Sequence, residues 1–149
     1  MAVALNKPKV IVVMPAYNAA KTLRITYDAI PKDDVYQVIL VDDGSRDETL
    51  KIAKDLNLEV FVHTRNFGYG GNQKTCYTEA LKAGADIIVM LHPDYQYDPS
   101  LLPNVIAPIK KGDADVVLGS RLLGGDVVKQ GMPWWKYLGN RFLTGIQNQ

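Results

Sequence analysis

Four apolar runs in this chain each end in polar groups able to do chemistry. Val38 to Val41 stops at Asp42, Asp43, Gly44 and Ser45, and Val10 to Met14 stops at Pro15, Ala16, Tyr17 and Asn18. Ile87 to Leu91 ends in His92, Pro93 and Asp94, and Val116 to Leu118 in Gly119, Ser120 and Arg121. The two carboxylates after Val41 could bind the sugar or base of a nucleotide, because one carboxylate accepts two hydroxyl or N–H donors at once. The same segment also suits plainer work, with Asp43-Gly44 as a turn and Ser45 or Asp47 as a helix cap. Both can hold together.

His92-Pro93-Asp94-Tyr95-Gln96-Tyr97-Asp98 is the sharpest local signal. On an extended segment, residues two apart face one way, so His92 and Asp94, with Gln96 as a further oxygen donor, could hold a divalent cation that keeps positions open for phosphate oxygens. Asp98 before Pro99 is better suited to capping a helix. Taken alone, His92 could equally be a polar strand terminus, with Tyr95 and Tyr97 as packing residues. Arg121 could grip a diphosphate bidentately or form a surface ion pair. Arg65-Asn66-Phe67-Gly68-Tyr69-Gly70-Gly71-Asn72 opens a helix, and its bare backbone could let a phosphate lie close; a flexible turn is the other reading. Its spacing fits neither a Walker loop nor a dinucleotide fingerprint. Trp134 and Trp135 could stack on a sugar or sit at a membrane interface, although packing an extra helix is the commoner fate.

The elements that must position these residues alternate along the chain. Hydrophobic periodicity predicts strands at Val10–Pro15, Val35–Val41, Glu59–His63, Ile87–Leu91 and Asp115–Leu118. Helices are predicted at Ala19–Ile30, Asp47–Leu56, Gly71–Ala83 and Pro99–Lys110, with Gly84 and Gly112 as stops. This is the pattern of an α/β fold with a mostly parallel sheet, whose ligand crevice lies at the carboxyl ends of the strands. Tyr17, Asn18, Asp42, Asp43, Arg65, Asn66, Asp94, Gln96 and Arg121 should therefore gather at one edge. Leu122 to Pro133 is expected to be a mobile loop.

The 149 residues suffice for a single domain burying roughly two-thirds of its unfolded surface. With 17 basic and 16 acidic residues, net charge +1 and no long run of one sign, a general electrostatic grip on nucleic acid or an anionic membrane is excluded. The lone Cys76 forms no internal disulfide and suits a buried thiol in a reducing compartment. No apolar run approaches the ~20 residues that cross a bilayer, and Met1 to Pro8 lacks a signal-peptide layout, so a cytoplasmic location is expected. The amphipathic pattern from Trp134 to Leu143 meets no closing signal by Gln149, which suggests that the natural protein is longer.

Five segments together resemble the family 2 glycosyltransferases of the GT-A fold, in the branch of dolichyl-phosphate mannose synthase and other polyprenyl-phosphate sugar transferases. They are Pro15-Ala16-Tyr17-Asn18, Val41-Asp42-Asp43-Gly44-Ser45-x-Asp47, Arg65-Asn66-x-Gly68-x-Gly70, Asp94-x-Gln96-x-Asp98-Pro99 and Ala114-Asp115-Val116-Val117-x-Gly119-Ser120-Arg121. The resemblance implies a Rossmann-like α/β/α sandwich forming one nucleotide-sugar-binding domain over 1–149. It implies a donor site drawn from Pro15, Tyr17, Asn18, Asp42, Asp43, Asn66, Gly70 and Arg121. Asp94 and Gln96, with His92 in the first place of the motif, would hold Mg²⁺ or Mn²⁺, and Asp94 and Arg121 would be catalytic. The implied reaction is inverting transfer from a GDP- or UDP-linked sugar to an acceptor, a polyprenyl or dolichyl phosphate or a glycan, at the cytoplasmic face of a membrane. Membrane association would come through segments beyond Gln149, and nucleic acid would not be a partner.

Two residues depart from the family pattern. His92 stands where Asp is usual, and imidazole suits Mn²⁺ better than Mg²⁺. Ala19 stands where an acidic residue commonly follows the Tyr-Asn pair. These departures keep a non-catalytic nucleotide-sugar scaffold or sensor as the alternative. A phosphoacceptor receiver domain fits less well, because its acidic pair should follow the first strand, which here ends in Pro15.

Overall fold

A computed structural model of the chain describes residues 7–119, 134–135 and 138–139. The chain divides into two compact units, Met1–Val117 and Leu118–Gln149. In the second, Trp134–Trp135 and Leu138–Gly139 are helical. Among the described residues, the first holds the sheet.

Its elements run β1 (Val10–Ala16), α1 (Leu23–Asp28), β2 (Gln37–Asp42), α2 (Thr49–Asp55), β3 (Glu59–Val62), α3 (Gly68–Lys82), β4 (Ile87–Met90) and α4 (Leu102–Lys111), with short 3-10 turns at Lys32–Asp34 and Pro99–Leu101. The strands form one parallel sheet in the order β3-β2-β1-β4. Successive side chains of a strand point to opposite faces, so the Val/Ile-rich β1 needs cover on both. Val10, Val12, Met14 and Ala16 pack with Leu23 of α1, Ala53 of α2 and Ile106 of α4. Ile11 and Val13 pack on the other face with Cys76 and Ala80 of α3. The result is the expected α/β/α layering with a parallel sheet.

The helix ends follow their chemistry. Asp98 Oδ1 accepts the Ser100 amide at 2.9 Å and Pro99 opens the turn. Gly84 and Gly112 both sit at φ +75°, a left-handed conformation that closes a helix without Cβ strain. Helix α1 begins at Leu23 rather than Ala19, and ahead of it the Ala19 and Ala20 amides are held by Thr49 Oγ1 at 2.8 Å and Asp47 Oδ2 at 3.0 Å. The fifth strand expected at Asp115–Leu118 is not formed: Val116 and Leu118 are 74% and 86% exposed, and no described strand pairs with them. A three-residue apolar run left on the surface buries too little to hold an extended ladder, although β4 presents an open edge. Among the described residues no helix is long and apolar enough to cross a membrane.

Candidate functional site

The winding of the sheet reverses between β1 and β4, the place where parallel α/β sheets open a crevice. Here the opening has a local cause. Toward β4, Val13 accepts the Leu91 amide at 3.0 Å, and Val13 opposite Met90 is the last pair of that ladder. The next N–H of β1 on that side belongs to residue 15, and Pro15 has none to give. Toward β2 the ladder continues to Ala16 opposite Asp42, and Ala16 accepts the Asp43 amide at 2.9 Å. β1 thus stays joined to β2 and parts from β4.

A cleft of about 350 Å³ occupies the gap. The β1 exit contributes Pro15, Tyr17 and Asn18; the β2 exit contributes Asp43. Asn66 comes from the α3 lead-in, Gly68 and Tyr69 from the first turn of α3, and His92 and Asp94 from the β4 exit. Tyr17 leaves 52% of its surface exposed there, an open ring face beside polar groups.

Asp43 is 3% exposed, and its carboxylate is fully engaged. Oδ1 takes His63 Nδ1 at 2.7 Å and the Phe67 amide at 2.8 Å, while Oδ2 takes the Gly68 amide at 2.9 Å. Burial pushes this carboxyl up, but the hydrogen bonds from His63, Phe67 and Gly68, with the charge of His63, outweigh it and hold the group below the usual carboxylate range. His63 Nε2 meets Thr75 Oγ1 at 2.9 Å. A carboxylate at the first amides of α3 also complements the helix dipole.

Asp42 is fully buried and lies off the cleft lining. Its Oδ2 accepts the Gly44 and Ser45 amides at 3.1 and 2.9 Å, closing the turn, and its buried Oδ1 has no partner among the described residues. Gly44 sits at φ +79°, a left-handed conformation that favours glycine in this turn. Asn18, at φ +52°, donates its amide to Ser45 Oγ at 2.8 Å and accepts the Arg46 amide on its Oδ1 at 2.9 Å. The exits of β1 and β2 are laced together by this reciprocal pair.

At the β4 exit, Asp94 is exposed; its Oδ1 accepts the Gln96 amide at 3.0 Å and its Oδ2 carries no hydrogen bond among the described residues. Gln96 does not line the cleft. Tyr95 between them holds φ +55°, unusual for a bulky side chain. His92 stacks on Tyr69 with ring centroids 5.4 Å apart and planes 20° apart, and its Nε2 lies 3.2 Å from the Tyr69 hydroxyl. Among the described residues no three His, Cys, Asp or Glu side chains stand together as a metal cage. What remains is one free carboxylate oxygen on a cleft wall, which fits a hard cation that takes its other ligands from bound phosphate and water.

Residues 11–148 match the family model described as glycosyl transferase family 2. The chain belongs to glycosyltransferase family 2. It is 32% identical over 151 residues to a UDP-N-acetylglucosamine–dolichyl-phosphate N-acetylglucosaminyltransferase of Methanococcus voltae, covering 90% of this chain and 60% of that protein. An undecaprenyl-phosphate mannosyltransferase of Micrococcus luteus is 29% identical over 153 residues, covering 93% and 61%. The chain thus spans about six-tenths of the length of these relatives. A glucosyl-3-phosphoglycerate synthase of Mycobacterium tuberculosis, solved with Mn²⁺, UDP-glucose and phosphoglyceric acid, shares the fold with a TM-score of 0.60, at 24% identity over 71% of this chain and 40% of that one. The fold of this family 2 chain is GT-A.

Of the residues singled out in the sequence, Pro15, Tyr17, Asn18, Asp43, Asn66, His92 and Asp94 line one cleft of the family 2 fold, and Asp42, Gly70 and Gln96 do not. The glycine on the wall is Gly68, while Gly70 faces open space. Arg121 lies outside the described residues, as do Ser120 and residues 122–133, where a mobile loop was expected. The sequence singled out the Arg65–Asn72 segment but gave Tyr69 and Asn72 no role of their own, and His63 only the end of a strand. Asn72 is 3% exposed and donates to the Val41 carbonyl at 3.1 Å, fastening α3 to the sheet edge. Its only sequence signal was a polar residue one turn before Cys76 on the buried face of α3.

Proposed function

We propose that this chain is the donor-binding part of an inverting glycosyltransferase, which moves a sugar from a GDP- or UDP-linked donor to a polyprenyl or dolichyl phosphate at the cytoplasmic face of a membrane. The observation that carries the reading is the cleft between β1 and β4, where an exposed Tyr17 ring and an exposed Asp94 carboxylate share one pocket in a family 2 chain. A ring and a carboxylate so placed suit the base and the diphosphate of one nucleotide.

Pro15 and Asn66 would bound the nucleoside beside Tyr17. Asp94 would hold the divalent cation, Mg²⁺ or Mn²⁺, against the diphosphate. Bound there, the cation would offset charge on the departing nucleoside diphosphate. Arg121 is proposed as a second phosphate contact, since a guanidinium matches phosphate bidentately. The pocket's remaining contribution is to hold donor and acceptor in line. A lipid phosphate arrives already anionic and asks little of a general base.

The test is transfer of radiolabelled sugar from UDP- and GDP-linked donors to polyprenyl phosphate by the full-length protein. Label appearing in the lipid phase, and lost in Asp94→Ala, is the expected result. Donor binding without turnover in the full-length protein would favour the scaffold or sensor reading instead.

A further inference from the structure

Met90, Gln73, Tyr69 and His92 form a chain of contacts that leads from the sheet edge to the cleft. The sulfur of Met90 only accepts. Gln73 Nε2 lies 3.1 Å from that sulfur and 2.6 Å from the Tyr69 hydroxyl oxygen. The opposite amide orientation would set the Gln73 carbonyl oxygen against the sulfur lone pairs, so the NH₂ end faces both. The Tyr69 oxygen therefore accepts from Gln73, and its own hydrogen is free to go to His92 Nε2 at 3.2 Å. A ring nitrogen that accepts carries no hydrogen, and in the neutral imidazole the hydrogen must then sit on Nδ1.

We infer that His92 meets the ligand as an Nδ1–H donor to an anionic phosphate oxygen rather than as a metal ligand, with Gln73 and Tyr69 as the positioning residues that fix this tautomer. One nitrogen is occupied by Tyr69 and the other bears a hydrogen, so neither offers a lone pair to a cation. Nδ1 has no partner among the described residues, and His92 lines the cleft with Asp94. The cleft thus presents a carboxylate for a cation beside a donor for the anion itself. The identity of that anion as a donor diphosphate rests on the proposed transferase reading; the tautomer does not.

The chain holds two histidines, so long-range ¹H–¹⁵N spectra of the whole protein, at a pH where both rings are neutral, resolve each one once His92→Asn removes its signals. The expected spectrum shows His92 protonated at Nδ1. Tyr69→Phe should move it toward the Nε2–H form common in free histidine while His63 stays unchanged. Inorganic pyrophosphate without metal should shift the His92 Nδ1 signal, and Tyr69→Phe should weaken that binding about fivefold, the worth of one ordinary hydrogen bond. Mn²⁺ added to the protein should show no coupling to an imidazole nitrogen in pulsed electron spin resonance. An Nε2–H tautomer in the wild type, a tautomer indifferent to Tyr69→Phe, a His92 signal unmoved by pyrophosphate, or a nitrogen-coupled Mn²⁺ lost in His92→Asn would each overturn the inference. Failure of UDP and GDP to bind would instead remove the transferase reading and leave the tautomer, which is read without ligand, intact.

Discussion

Asp43 Oδ1 and His63 Nδ1 meet at 2.7 Å, joining the end of β2 to the residue that follows β3. The same carboxylate takes the amides of Phe67 and Gly68, so one side chain fixes the start of α3 and with it one wall of the cleft. Asp43→Ala leaves those amides and the ring without an acceptor in a nearly dry site. The expected loss is about 3 kcal/mol of folding free energy, read as a lower urea midpoint at unchanged slope.

Acid should weaken the fold through the same contacts. Burial pushes Asp47 up as it does Asp43, but hydrogen bonds from Thr49 and Ala20 outweigh it, so both carboxyls lie below the ordinary range in the folded chain. The unfolded chain then binds these protons more tightly than the folded one. Their stabilisation is complete above the ordinary carboxylate value of about 3.9 and disappears as pH falls through the lower folded values. Urea midpoints measured downward from pH 6 should decline in that acid window, and Asp43→Asn should flatten the decline.

What could be read from sequence was what depends on near neighbours. The burial of β1 and of β2 from Val38 onward follows from their Val/Ile runs, and the Asp98 cap and the Gly84 and Gly112 stops lie within a turn of the helices they close. What could not be read depends on distant partners. Helix α3 begins at Gly68, three residues before the expected Gly71, because Asp43 receives its first amides from 25 residues away. Asn18 and Asp43 carry the polar types expected of a nucleotide site, yet the oxygens they present are engaged in holding loops together. Local pattern sees an available carboxylate; only the fold shows which carboxylate is already engaged. Asp94, with one oxygen left, is the one on the cleft wall that is not.

Two glycines in the first turn of α3 should respond differently. Gly68 holds φ +77°, so Gly68→Ala should cost roughly 1–2 kcal/mol in left-handed strain. Gly70 has no positive φ and nothing within 4 Å of an added Cβ. Gly70→Ala should leave stability within about 0.5 kcal/mol of the parent, and nucleotide affinity unchanged. Paired thermal melts and titrations check both.

Cys76 is fully buried, and burial pushes its thiol up to about 12. Only the thiolate reacts readily, so an aromatic disulfide reagent at neutral pH should leave the folded chain untouched and label it stoichiometrically in denaturing urea. Rapid labelling of the native protein would contradict the packing of α3 on the sheet.

In the proposed function the β1–β4 cleft holds a nucleoside diphosphate with its phosphates beside Asp94. Calorimetric titration of the chain with UDP and GDP, each with and without Mn²⁺, tests it most directly when repeated on Asp94→Ala. One diphosphate should bind, and Mn²⁺ should strengthen that binding in the parent and leave it unchanged in the variant. Absence of binding by either nucleotide, or metal-strengthened binding that survives Asp94→Ala, would contradict it.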